Sequence, residues 1–298
     1  MRHAGSAMVV AATCVGLAAL TPGVSFADTG PEISGRYVSL GDSYVAGPLI
    51  PLQTGTPSGC LRSDHNYPSL VRTGVHSSQF QDVSCSGATT KEMTSPQAVT
   101  GGSNPPQLTA VTKDTGLVTL GIGGNDIGFA DIIKNCAVKS PSKPLGAACK
   151  DYYNQGGRDQ LAERIEATAP KVAAVLDQIT KRAPDAKVLV VGYPTILPAK
   201  GPGCFPVVPF SPGDVAWLRE VQGQLNDMLA DEADRTDAEF VDTARSSVGH
   251  DVCQLPGTKW VEGLVPTSPA APVHPNALGM RNSANDVLAA LHTRVLAP

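Results

Sequence analysis

The sequence predicts a layered α/β protein on a mostly parallel sheet. Three observations carry that reading. Short β-rich runs with few charges recur along the chain. Segments with apolar residues at helical spacing fall between several of them. Four of the β-rich runs are continuous rather than strictly alternating, the pattern of strands covered on both faces. Strands that alternate with helices pack as sheet and helix layers.

The runs in order are "RYVSL" (36–40), "QDVSC" (81–85), "GLVTLGI" (116–122), "AKVLVVGY" (186–193) and "AEFVDT" (238–243). A helix is expected from Arg158 to Arg182, with Leu161, Ile165, Val172, Val175, Leu176 and Ile179 on one stripe. Pro170 is expected to kink or break it. Ser211-Pro212 supplies cap and first-turn chemistry for a second helix carrying Val215, Leu218, Val221, Leu225 and Leu229. The last helix follows "HPNALGM" and runs through Val287, Leu288, Leu291 and Val295. Three long connections, 44–66, 127–157 and 194–212, hold most of the cysteines and prolines. Connections of that length without periodicity are often functional.

The first 27 residues read as a secretory signal peptide. Arg2 and His3 give a basic start, an apolar run leads to Leu20, and Ser25 and Ala27 suit cleavage after Ala27. Residues 28–298 are then expected to form a single catalytic domain, large enough for a substantial core. No later stretch is apolar enough for stable insertion in a bilayer. With Arg2 removed, 22 basic residues face 27 acidic ones, a net of −5, and no basic stripe suggests nucleic acid. A secreted monomer is expected. Past the leader stand Cys60, Cys85, Cys136, Cys149, Cys204 and Cys253, an even set that reads as three disulfides in an exported chain. None has CxxC spacing, and no HExxH-like set occurs, so neither a metal nor a cofactor is expected.

In parallel α/β sheets, ligands bind beyond the carboxyl ends of the strands. The segments at those positions are "GDSYVAG" with Ser43, "SGATT" with Gly87, "GGND" with Asn125 and "GYPTILP"; "VHPN" with His274 precedes the last helix. These are the parts acyl transfer needs. A serine hydroxyl needs an adjacent base, and histidine takes and returns a proton near neutral pH. The tetrahedral oxyanion needs preorganised donors, which an Asn amide and the N–H groups of Gly-rich turns provide.

"LGDSYVAG", "SCSGATT", "TLGIGGND" and "VHPN" resemble the four blocks of the SGNH (GDSL) hydrolase superfamily, in its order and across nearly the whole chain after the leader. The opening block and six cysteines resemble its secreted actinobacterial (Streptomyces-type) lipase and esterase branch. The resemblance implies a flavodoxin-like three-layer α/β/α sandwich. It implies Ser43 as nucleophile and His274 as base, with an oxyanion hole from Ser43 N–H, Gly87 N–H and the Asn125 amide. It also implies the pairings Cys60–Cys85, Cys136–Cys149 and Cys204–Cys253. "GDSYV" lacks the second Gly of the Gly-x-Ser-x-Gly elbow, which argues against an α/β-hydrolase.

One position departs from the superfamily. Most members carry Asp three residues before the histidine, where this chain has Ala271, and nothing between Glu262 and Asp286 is acidic. A main-chain carbonyl of Ala271 or Pro272 is therefore expected to accept from Nδ1–H and orient the ring. Asp42 and Asp126 are expected to brace their turns, and His65 is the rival base. The expected activity is hydrolysis of carboxylic esters of lipids, acylglycerols or phospholipids, through an acyl-enzyme. The alternatives are a carbohydrate O-acetylesterase with the same machinery and a non-catalytic lipid- or glycan-binding protein. "GPLIPL" (47–52) and "CFPVVPF" (204–210) are candidates to line an acyl groove or to cover the sheet edge.

Overall fold

A computed structural model describes Met1 and residues 32–292. The signal-peptide cleavage site and Val295 lie outside the described residues. The elements in chain order are β1 (Glu32–Gly41), α1 (Ser43–Ala46), α2 (Tyr67–Gly74), β2 (His76–Asp82), β3 (Gln97–Val99), β4 (Gly102–Asn104) and β5 (Thr115–Gly121). They continue with α3 (Phe129–Lys139), α4 (Ala148–Tyr153), α5 (Gln160–Arg182), β6 (Lys187–Val191), α6 (Pro212–Arg235), β7 (Glu239–Val241), α7 (Thr243–Ser246) and α8 (Ala277–His292).

Five strands form one sheet in the order β2-β1-β5-β6-β7, every neighbouring pair parallel. Counted within the sheet, that is the flavodoxin-like order in which the chain reverses direction next to its first strand. Side chains alternate across the strands. Val38, Val118 and Val190 enter the core beneath α5 and α6. Tyr37, Leu117 and Leu189 join Tyr67, Val71, Met280 and Val287 beneath α2 and α8. Both faces are thus covered, which gives the three-layer α/β/α sandwich and explains the continuous apolar runs. The short pair β3–β4 is antiparallel and stands apart from this sheet.

Three expectations change. The second strand is His76–Asp82, not 81–85. It is a polar edge strand paired on one side only, so burial does not select an apolar sequence there. Val83 N–H and Cys85 N–H still bond Ser39 and Gly41 carbonyls at 3.0 and 2.9 Å as the chain leaves the sheet. Pro170 does not break α5, which is continuous across it. The connection 127–157 contains α3 and α4, joined by a Cys136–Cys149 disulfide. The other bridges are Cys60–Cys85 and Cys204–Cys253.

Candidate active site

The end of β1 makes the first part of the site. Gly41 adopts φ 153°, and a Cβ there would stand 2.5 Å from the Gly121 carbonyl oxygen, so only glycine lets β1 turn against β5. Asp42 follows as the N-cap of α1, its Oδ1 accepting from Tyr44 N–H at 2.8 Å. Ser43 is the first residue of that single turn. Its hydroxyl faces the loop before α8, where His274 Nε2 lies 2.8 Å from Ser43 Oγ.

The other ring nitrogen, Nδ1, lies 2.8 Å from the carbonyl oxygen of Pro272. A carbonyl only accepts, so Nδ1 carries the proton and Nε2 presents its lone pair to the Ser43 hydroxyl. Of the two expected carbonyls, Ala271's is taken by the His274 backbone N–H at 3.2 Å. Val273, between the carbonyl and the ring, adopts φ 59°, a left-handed conformation rare for a β-branched residue. Tyr44 Oη donates to the Val273 carbonyl at 2.6 Å, and its ring lies 4.9 Å from the imidazole. Burial pushes the His274 pKa below its usual 6.5, and the Pro272 carbonyl works in the opposite direction.

Glu262, the first acidic residue upstream of His274, does not reach the ring. Its carboxylate accepts from Asn276 Nδ2 at 2.7 Å and from Thr267 N–H at 2.7 Å, and its own N–H bonds the His274 carbonyl at 3.0 Å. It ties down both flanks of the His274 loop.

Gly87 and Asn125 come from the turns after β2 and β5. Gly87 adopts φ 81°. Asn125 Nδ2 donates to the Ala88 carbonyl at 2.9 Å, which sets its amide beside the Gly87 turn. Among the described residues, Ser43 N–H and Gly87 N–H donate to no protein acceptor. Asp126 accepts from Thr90 N–H at 2.9 Å and from the Thr90 hydroxyl, bracing the same turn.

His65 is not brought to Ser43; it is largely exposed and pairs with Asp64. His250 stacks on Trp260 at 3.5 Å between ring centroids, with Nδ1 on the Thr258 carbonyl. Two residues that sequence reasoning gave no firm role meet at the site. Tyr44 holds the His274 loop. Tyr193, in the "GYP" that follows β6, donates to Asp42 Oδ2 at 2.6 Å and accepts from Gly124 N–H at 2.7 Å. Their position beyond strand ends was the available signal.

A narrow apolar cleft lies beside Tyr193. Ile127, Phe129 and Ile133 line it at the start of α3, Ile196 and Leu197 after β6, and Leu218, Val221 and Leu225 on α6. The segments 47–52 and 204–210 do not line it. Their side chains divide instead: Ile50, Val208 and Phe210 are buried, whereas Leu49, Leu52, Phe205 and Val207 are exposed. Phe129 links the cleft to His274, its ring 6.3 Å from the imidazole.

A model of the GDSL-like Lipase/Acylhydrolase family matches residues 39–281, a span that contains Ser43, Gly87, Asn125 and His274. Lipase 2 of Streptomyces coelicolor is 39% identical over 256 residues, 85% of this chain and 84% of that protein. An esterase of Streptomyces scabiei is 31% identical over 286 residues, 85% of this chain and 81% of that protein. Among solved structures, phospholipase A1 from Streptomyces albidoflavus NA297 is 28% identical with a TM-score of 0.72, covering 86% of this chain and 99% of that one. An extracellular lipase from Streptomyces rimosus is 29% identical with a TM-score of 0.68 and the same coverage, 86% and 99%. With sequence, fold and strand-end blocks in agreement, the chain belongs to the GDSL-like Lipase/Acylhydrolase family and is a carboxylic ester hydrolase.

Proposed function

We propose that this protein hydrolyses lipid esters, acylglycerols or phospholipids, through an acyl-enzyme on Ser43. His274 takes the Ser43 proton as Oγ attacks the ester carbonyl and returns it to the leaving alcohol. It then activates water to release the acid. The Pro272 carbonyl holds the ring in the required tautomer. Ser43 N–H, Gly87 N–H and the Asn125 amide stabilise the oxyanion, and removing one such donor typically costs about 10²–10³ in kcat. The observation that carries the reading is His274 bridging Ser43 Oγ and the Pro272 carbonyl, 2.8 Å to each.

The lipid assignment is supported by the aliphatic and aromatic lining of the cleft beside Tyr193 and Phe129, whose chemistry suits an acyl chain. The reading includes export: residues 1–27 as a leader removed after Ala27, ahead of a catalytic unit over 28–298. Three disulfides suit an oxidising compartment.

A fluorophosphonate probe should label the wild type and not Ser43→Ala. An unlabelled wild type, or label retained in the variant, overturns the assignment. A panel of triacylglycerol, phospholipid and acetylated sugar tests the substrate class. Ile133→Trp, which narrows the cleft, should depress octanoate ester hydrolysis while sparing acetate ester. Equal loss on both removes the cleft from the account.

A further inference from the structure

Tyr193 touches three parts of the site at once. Its hydroxyl donates to Asp42 Oδ2 at 2.6 Å, one residue before Ser43. The same oxygen accepts from Gly124 N–H at 2.7 Å, one residue before Asn125. Its ring lines the apolar cleft together with Gly124. That ring also packs edge-on to Tyr44 at 5.1 Å, the residue that holds the His274 loop.

The approach to Gly124 is close. A Cβ there would stand 2.9 Å from Tyr193 Oη and 3.0 Å from Cζ, so the absence of a side chain is what lets the hydroxyl take the Gly124 N–H. Asp42 in turn is fully engaged, with Oδ1 on Tyr44 N–H and Oδ2 on Tyr193. Its carboxylate is buried and has no cation within ion-pairing distance among the described residues. The Tyr193 hydroxyl is thus a single atom joining the turn that carries Ser43 to the turn that carries Asn125. The backbone between these turns is otherwise joined by the Asp42 N–H to Gly121 carbonyl bond of 3.0 Å, which lies on the strand side of Gly124.

We propose that Tyr193 is a positioning residue that couples acyl-chain occupancy of the cleft to the geometry of the oxyanion donors. An acyl chain entering the cleft meets a wall to which Tyr193 contributes, and the hydroxyl of that residue spans the two turns. Seating the chain restricts that side chain, and the Gly124 and Asp42 bonds fix Asn125 against Ser43. Binding energy from the remote part of the substrate is then expressed at the reacting centre, so longer acyl chains raise kcat as well as lowering KM. The inference rests on the reading of Ser43 and His274 above and adds chain-length control to it.

The test compares p-nitrophenyl octanoate and acetate on wild type, Tyr193→Phe and Gly124→Ala, with fluorophosphonate labelling to count folded, competent sites. In the wild type, kcat per labelled site should be higher on octanoate than on acetate. Tyr193→Phe keeps the cleft wall and removes the hydroxyl. It should lower octanoate kcat about tenfold, the effect of losing roughly one net hydrogen bond, and leave octanoate KM within about twofold. The octanoate-to-acetate kcat ratio should collapse toward one. Gly124→Ala should reproduce that signature from the other side of the bond. Equal wild-type kcat on the two esters overturns the proposal, whether or not either variant folds. So does a Tyr193→Phe enzyme whose KM rises while its kcat ratio is unchanged. Loss of wild-type labelling would instead bring down the Ser43 reading itself.

Discussion

The Nδ1 atom of His274 lies 2.8 Å from the carbonyl oxygen of Pro272, two residues earlier in the chain. A neutral acceptor fixes the tautomer as well as a carboxylate does, but it offers no full charge to stabilise the imidazolium. Burial adds to that by disfavouring the charged ring. In the mechanism proposed for His274 the ring works as base only when neutral, so activity should be lost as pH falls through its pKa. The acid limb of kcat/KM should therefore fall at a pH below 6.5, the ordinary histidine value. A pH profile on a soluble ester checks it, and a limb above that value contradicts it.

With no carboxylate on Nδ1, no acidic residue should behave as a third triad member. In an Asp-containing triad, replacing the aspartate by asparagine costs about 10⁴ in kcat. Glu262→Gln and Asp42→Asn should each stay within about a hundredfold of the wild type per labelled site, because their bonds brace loops and do not touch the ring. Active-site titration by fluorophosphonate separates this from lost folding.

Tyr44→Phe removes the hydrogen bond that holds the Val273 carbonyl at 2.6 Å. A left-handed β-branched residue costs on the order of 1–3 kcal/mol and persists only where its surroundings enforce it. Released, Val273 should relax and turn the Pro272 carbonyl away from Nδ1. We expect kcat about tenfold lower with KM little changed. The carbonyl raises the His274 pKa, so its loss should move the acid limb to lower pH. Steady-state kinetics across pH reads both effects.

The disulfides should differ in what they support. Cys60–Cys85 closes a separation of 25 residues and Cys136–Cys149 one of 13, each worth roughly 3–4 kcal/mol by chain entropy. Cys85 N–H bonds the Gly41 carbonyl at 2.9 Å and Ser86 N–H bonds the Cys60 carbonyl at 3.0 Å, so the first bridge lies between Ser43's turn and Gly87. Replacing both of its cysteines by alanine should lower stability and also turnover per labelled site. The same change at Cys136 and Cys149 should lower stability and spare turnover. Denaturant melts paired with titrated kinetics distinguish the two.

Asp42 should make stability depend on pH in an unusual direction. Burial raises its pKa from 3.8 to about 7, against the opposing bonds from Tyr193 and Tyr44, with the Asp126 charge adding to the rise. Between those values the folded state holds a proton that the unfolded state has released, so this residue's contribution to stability declines as pH rises from about 4 to 7. Asp42→Asn removes the ionisation. Its stability relative to the wild type should improve by roughly 2–3 kcal/mol between pH 5 and pH 8. Urea melts at the two pH values check the difference, and no improvement would contradict it.

Much of this was legible in the chain. The continuous runs at 116–122 and 186–193 marked central strands because both of their faces are buried, and β5 and β6 coincide with them to within two residues. The edge strand was misplaced by several residues, since His76–Asp82 is polar and only its pairing with β1 makes it a strand. α3 was unread because its apolar residues face a local cleft and core, without a long stripe. The apolar cleft beside Tyr193 escaped for a similar reason. Its lining comes from α3, α6 and the segment after β6, which are far apart in the chain.

The chain alone carried the α/β layering and the short blocks, three beyond strand ends and one before the last helix, that nominate Ser43, Gly87, Asn125 and His274 as the candidate site. Those follow from periodicity and from short blocks in a fixed order, which are local properties of the chain. The tertiary structure alone decided that Pro272 rather than Ala271 faces the ring, that Tyr44 pins Val273 from 229 residues away, and that Tyr193 reaches Asp42 across 151 residues. Such contacts depend on which loops the strand order brings together, and on a few tenths of an ångström in how they pack, neither of which any local pattern encodes.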